Sequence, residues 1–207
     1  MTQEIQQRIK EIKLSFRQMM DGKVAQSMRD KGLDYHLNWG ATLPRLQAQA
    51  QQLGKDYDLA IALWKENVRE CKILATMVMP AEQMLPEVAD IWMEQTPTIE
   101  IAEQAAFNLY QHMPDAAGMA FRWIAGSNEL AQLCGFHVLS RLFMRGQEPN
   151  EREINELIDQ ALVALRSPNM SVRKAALNCM NRFSQLALVY ERLTRSAFRT
   201  AGLEPFL

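Results

Sequence analysis

The stretch Leu59-Ala60-Ile61-Ala62-Leu63-Trp64-Lys65-Glu66-Asn67-Val68-Arg69-Glu70-Cys71-Lys72-Ile73-Leu74-Ala75-Thr76-Met77-Val78-Met79 decides the fold. An apolar run ends on Trp64, three polar residues turn the chain, and a second helical run begins. The pattern returns three times. "EVADIW" turns through "MEQTPT" into "IEIAEQAAFNLY", "GMAFRW" through "IAGSN" into "ELAQLCGFHVLSRLF", and "ALVAL" through "RSPNM" into "SVRKAALNCMNRF". Trp64, Trp92 and Trp123 hold one place in the first three copies, 28 and 31 residues apart, and Leu165 holds it 42 residues later. The added length falls in the loop "MRGQEPN". Self-similarity at this period signals stacked helix pairs, because one pair alone cannot bury both its apolar faces.

Small residues mark the second helix of each pair: Ala75; Ala102, Ala105 and Ala106; Ala131 and Gly135; Ala175 and Ala176. Small side chains let neighbouring helices approach closely, as stacking requires. Upstream, Ile5, Ile9, Ile12 and Phe16 form one helical face, and Asp21-Gly22 reads as its stop. A shorter helix is predicted near 23–31, then a loop through Gly32 and Gly40. Thr42 and Pro44 open a further helix that runs to Gly54. The expectation is an all-α solenoid, one domain over 1–207. It comprises capping helices over 1–54, four helix pairs over 55–185, and a closing helix and tail over 186–207, with "TAGLEPFL" as an apolar anchor.

Composition fits. The 207 residues are 48% hydrophobic and 23% charged, with nine Gly and eight Pro, and suffice for a sizeable core. The first twenty residues lack the apolar core of a secretory signal, and no uncharged apolar window is long enough to span a membrane. Three widely spaced cysteines (71, 134 and 179) without a C-x-x-C suit a reduced, cytoplasmic setting.

The net charge of −1 conceals an asymmetry. No Lys or Arg lies between Lys72 and Arg122, where Glu82, Glu87, Asp90, Glu94, Glu100, Glu103 and Asp115 accumulate. Over 166–199, Arg166, Arg173, Lys174, Arg182, Arg192, Arg195 and Arg199 face Glu191 alone. A basic end suits a polyanion, and an acidic middle opposes one.

Motifs for phosphate binding, serine hydrolysis and zinc proteolysis are missing. Cys134 and His137 share a helix face, but a zinc site needs three or four ligands, so no metal is expected, nor any cofactor. Glu100 and Glu103, one turn apart, could do acid–base work if burial raised one pKa, but behind a Thr98 cap they read first as solvated acids favoured by the helix dipole. On one continuous helix, Lys65, Arg69, Lys72 and Thr76 form a polar stripe, with Cys71 beside it facing the core. That stripe reads equally as a row facing phosphates or as a solvated face.

The segments "LAIALWKENVRECKILATMVM", "FRWIAGSNELAQLCGFHVL" and "SPNMSVRKAALNCMNRF" resemble the AlkD-like DNA alkylation repair family, built from HEAT-like repeats. The resemblance runs from about residue 25 to the end. It implies a right-handed α-solenoid whose concave face holds duplex DNA, and active members release an alkylated base by hydrolysis. Those members carry a Trp-x-x-x-Asp motif; the corresponding positions here are Ile99 and Glu103. Leu133 stands where a DNA-contacting Arg is expected, and Asn178 where an aromatic is expected. Glu103 is thus the one catalytic candidate the resemblance leaves. The expectation is a DNA-binding member without ordinary alkylbase glycosylase activity, with Lys65, Arg69, Lys72, Arg173, Lys174, Arg182 and the C-terminal arginines as phosphate contacts to double-stranded DNA. The alternative is a scaffold holding a protein or peptide partner.

Overall fold

A computed structural model describes residues 2–203. The chain is all-α, with twelve α-helices and two single 3-10 turns among these residues. It divides into two compact units, Met1–Pro114 and Asp115–Leu207.

The first unit carries α1 (Gln3–Gln18), α2 (Gly22–Asp30), α3 (Leu43–Leu53), α4 (Tyr57–Lys65), α5 (Arg69–Val78), α6 (Pro86–Glu94) and α7 (Ile99–Asn108). Ile9, Ile12 and Phe16 bury the inner face of α1, which packs on α4, and α5 packs against α3, α4 and α7. The predicted stop at Asp21-Gly22 is corrected: α1 closes at Met19, and Asp21 caps α2, its side chain accepting from the amides of Lys23 and Val24 at 3.0 and 3.1 Å. A short Asp satisfies orphan amides at a helix start better than it ends a helix. Thr42 and Gly54 bound α3 as expected, with Gly54 at φ 71°.

The repeats form as the spacing predicted. The pairs α4–α5 and α6–α7 turn through residues 66–68 and 95–98. Trp64 and Trp92, which end the first helices, stack at 4.2 Å between centroids with planes 1° apart. Such a pair adds about 0.5–1.5 kcal/mol beyond its buried area.

The second unit carries α8 (Ala116–Ala125), α9 (Glu129–Met144), α10 (Glu151–Ala164), α11 (Met170–Ser184) and α12 (Leu188–Thr200). Helix α9 packs on α8 and α11, and α11 also packs on α10 and α12. Gly135 is the close-approach residue here: a β-carbon would sit 2.8 Å from the Ala120 carbonyl oxygen and 2.8 Å from Ile124 Cγ2. Asn128 and Asn169 cap α9 and α11 identically, each accepting from two amides. Asn150 and Glu153 form a reciprocal capping box on α10. No helix among the described residues is long and apolar enough to cross a membrane. The end of the anticipated tail anchor, residues 204–207, lies outside the described residues.

Candidate nucleic-acid interface

The cationic stripe expected at Lys65, Arg69 and Lys72 is not one face of one helix. The chain breaks between Lys65, the last residue of α4, and Arg69, the first of α5, with Glu66 in extended conformation. That turn resets the helical phase, so the i, i+4 relation does not cross it. Lys65 is exposed. Arg69 is buried, its side chain 1% accessible.

Four hydrogen bonds hold the Arg69 guanidinium. Nε and Nη2 donate to the two Glu100 oxygens at 2.8 and 2.6 Å, and Nη1 donates to the Ala41 carbonyl at 2.9 Å and to Glu70 at 3.1 Å. Glu70, fully buried, also accepts from the amides of Trp39 and Ala41. Tyr35 donates to Glu100 at 2.6 Å and bonds the Thr98 hydroxyl at 2.7 Å. Burial opposes the Arg69 charge, but the Glu100 hydrogen bonds and charge outweigh it and hold its pKa above the ordinary value. Burial likewise pushes Glu100 up, and the Arg69 contact more than reverses this. Burial, then the bond to Glu100, raises the Tyr35 phenol. The network ties loop 31–42 to the first turns of α5 and α7, and it spends the cation internally.

Lys72 is also turned inward. Its ammonium donates to the Trp64 carbonyl at 2.9 Å and lies 4.4 Å from the centre of that indole ring, while burial lowers its pKa. Arg69 and Lys72 are thus withdrawn as phosphate contacts. The reading of Glu100 as a solvated acid is corrected by the same network. Thr98 does cap α7, accepting from the Ile101 amide at 3.4 Å. Cys71 faces the core as expected, and burial pushes its thiol up to about 12.

In the second unit, Lys174, Asn178 and Arg182 fall at i, i+4 and i+8 on one face of α11, the first two exposed and the third half-buried. Asn178 donates to the Ser140 hydroxyl of α9 at 3.3 Å, which places this row along the α9–α11 seam. His137 and Arg141, both half-exposed, flank Ser140 on α9. Sequence reasoning missed this pair; its signal was the i, i+4 spacing on a helix otherwise apolar on nearly every side. Burial, then the Arg141 charge, lowers the His137 pKa. Among the described residues no carboxylate lies in ion-pairing range of Arg173, Lys174, Arg182 or Arg192, whereas Arg195 pairs with Glu191 at 2.8 Å.

Residues 12–187 match the family described as DNA alkylation repair enzyme. The chain belongs to that family. One solved structure comes from what is described as a new family of proteins related to the HEAT-like repeat DNA glycosylases with affinity for branched DNA structures. It superposes at a TM-score of 0.80 and 14% identity, over 93% of this chain and 82% of the other. At that identity the likeness establishes the HEAT-like repeat fold. No curated protein matches the chain.

In this member of the DNA alkylation repair family, the positions singled out by resemblance fall as follows. Glu103 is exposed on α7, one turn from Phe107, which is 42% exposed. Partial desolvation, then the Glu100 charge, raises its pKa. Leu133 is a core residue of α9 at 2% exposure, a position that cannot present a cation to solvent. Asn178 is exposed and polar, and sits within the seam row. Among the described residues no group of three His, Cys, Asp or Glu is placed to hold a metal.

Proposed function

We propose that this family member is a DNA-binding HEAT-like repeat protein that recognises duplex or branched DNA by its backbone and lacks ordinary alkylbase glycosylase activity. The observation that carries the reading is the row of Lys174, Asn178 and Arg182 along the α9–α11 seam, with Arg173 on the same helix. Among the described residues Arg173, Lys174 and Arg182 have no carboxylate partner, and such cations are available to phosphates at little desolvation cost. The affinity for branched DNA ascribed to the solved relative supports it. On the catalytic side, the Trp of the family's Trp-x-x-x-Asp motif does not stand four residues before Glu103, where Ile99 is found instead. The pairs are proposed to act as one array over 1–207.

Binding to linear and four-way-branched duplexes, measured by anisotropy across a salt series, tests this. Wild type binds at low salt, and K174Q/R182Q lowers the log–log salt slope by about 1.8, at about 0.9 per phosphate contact. Alkylated duplex releases no base with either wild type or E103Q. Failure to bind at low salt, or base release that E103Q abolishes, overturns the reading. A second reading rests on the α6 region, where Leu85 and Ile91 are 60% and 50% exposed among exposed Glu82, Glu87 and Glu94. That surface suits a basic, apolar protein segment, and it gains ground if DNA binding fails.

A further inference from the structure

A cavity of about 670 Å³ lies in the first unit, walled by α1, the loop carrying Leu37 and Trp39, and Glu66. Lys10, Lys13 and Arg17 lie at i, i+3 and i+7 on its α1 wall, so they share one side of the helix. The single lining acid, Glu66, is engaged by Lys13 at 2.7 Å. Lys10 and Arg17 are exposed and have no carboxylate partner among the described residues. The rest of the lining is apolar: Ile9, a Leu14 that is 55% exposed, Leu37, and the half-buried Trp39 ring, with the Arg17 guanidinium 5.9 Å from its centre.

Two features separate this cavity from an ordinary surface groove. Its charge is biased towards cations around an aromatic floor, the combination that holds nucleic acid by neutralising phosphates and stacking a base. Trp39 Nε1 is also buried with no acceptor among the described residues, and buried indole donors ordinarily find one. A duplex keeps its bases stacked inside and offers such a pocket only phosphate. An unpaired nucleotide offers phosphate to Lys10 and Arg17 and a flat apolar face to Leu14 and Trp39.

We propose that this N-terminal groove is a binding site for a single-stranded nucleic-acid segment, separate from the α9–α11 seam. The proposal rests on the DNA-binding reading for its biological setting, but its chemistry is independent of the seam. An unpaired strand beside a duplex is what a branched or frayed DNA presents.

The test uses the full chain and a short oligothymidylate, followed by tryptophan fluorescence. Trp64, Trp92 and Trp123 are buried, so quenching by a stacked base reports Trp39. Wild type is quenched and W39L is not. K10Q/R17Q, at exposed positions, weakens binding about tenfold or more at low salt and flattens the salt slope by about 1.4, at about 0.7 per single-strand phosphate. The wild-type chain at the same salt gives the reference quenching, which K10Q/R17Q reduces at equal oligothymidylate concentration. Unquenched wild type, or unchanged affinity and slope in K10Q/R17Q, overturns the proposal. So does a fluorescence change produced by anionic lipid vesicles and not by oligothymidylate. The two readings fail separately: loss of duplex and branched binding with quenching intact removes the seam assignment, and the converse removes the groove.

Discussion

Replacing Arg69 with Met tests the claim that this cation is structural. The substitution removes four hydrogen bonds and leaves the Glu70 carboxylate, 0% exposed, held by backbone amides with no countercharge. Glu100, 16% exposed, can rehydrate. Removing one partner of a buried pair costs about 3–5 kcal/mol, chiefly the price of the abandoned charge. E100Q keeps a shape that still accepts from Arg69 and costs about 1.5–3 kcal/mol, the worth of hydrogen bonds to a charged group. Because both changes break one contact, R69M/E100Q is less destabilised than the sum by about 1–3 kcal/mol. Three of the four tryptophans, at 39, 64 and 92, lie in the first unit, so denaturant unfolding followed by fluorescence reports the relevant transition.

The pH dependence carries a sign. Glu100 has its folded pKa below the unfolded value, so its stabilisation is present above the unfolded pKa and is lost as pH falls through the folded one. Wild type therefore weakens on the acid side of the carboxylate range, and E100Q flattens that limb. In R69M burial acts on Glu100 against the Tyr35 hydrogen bond alone, which is the smaller effect, so its folded pKa rises and the penalty relaxes as pH falls. An R69M protein within 1 kcal/mol of wild type at neutral pH, or an unchanged acid limb in E100Q, refutes the network. Arg69 would then be free to meet a phosphate.

Two further outcomes are expected. Gly135→Ala gains about 1 kcal/mol of helix propensity, but its methyl meets the Ala120 carbonyl and Ile124 at 2.8 Å. Overpacking against backbone costs about 1–3 kcal/mol, so net destabilisation of the second unit is expected in calorimetry, and a stabilised variant would show that α8 and α9 separate readily. Burial pushes Cys71 and Cys179 up to about 12 and Cys134 higher still. A thiol reagent at mildly alkaline pH should label none of the three until denaturant is added, and rapid labelling of the native protein contradicts their burial.

The helix pairs were legible because their signals are local: an apolar period of 3.6, a polar turn, and an Asn or Thr cap. The cationic stripe was misread because the i, i+4 rule was carried across the turn at 66–68, where no helix is continuous. Its partners were invisible locally, since Tyr35, Ala41 and Glu100 lie 34, 28 and 31 residues away from Arg69. The N-terminal groove went unread for the same reason, its walls coming from α1, the loop before Thr42, and Glu66.

The repeat itself held the missing information. In the first unit, side-chain contacts between successive pairs recur near the repeat period: Trp64 to Gln95 at 31 residues, Arg69 to Glu100 at 31 and Thr76 to Asn108 at 32. In the second unit, where the intervening loop is longer, Glu129 meets Asn169 at 40 and Ser140 meets Asn178 at 38. Stacking helices at a fixed offset brings position n against roughly n plus one repeat, so an array is a ladder of such pairs. The rule gives each polar residue of a second helix a partner to check before any ligand is invoked. Applied to Arg69 it finds an acid, which spends the charge. Applied to Ser140 it finds Asn178, a neutral amide, with Lys174 and Arg182 on the same face of α11 as the cations of that seam. The same periodicity that hides a cation in the first unit therefore presents cations in the second.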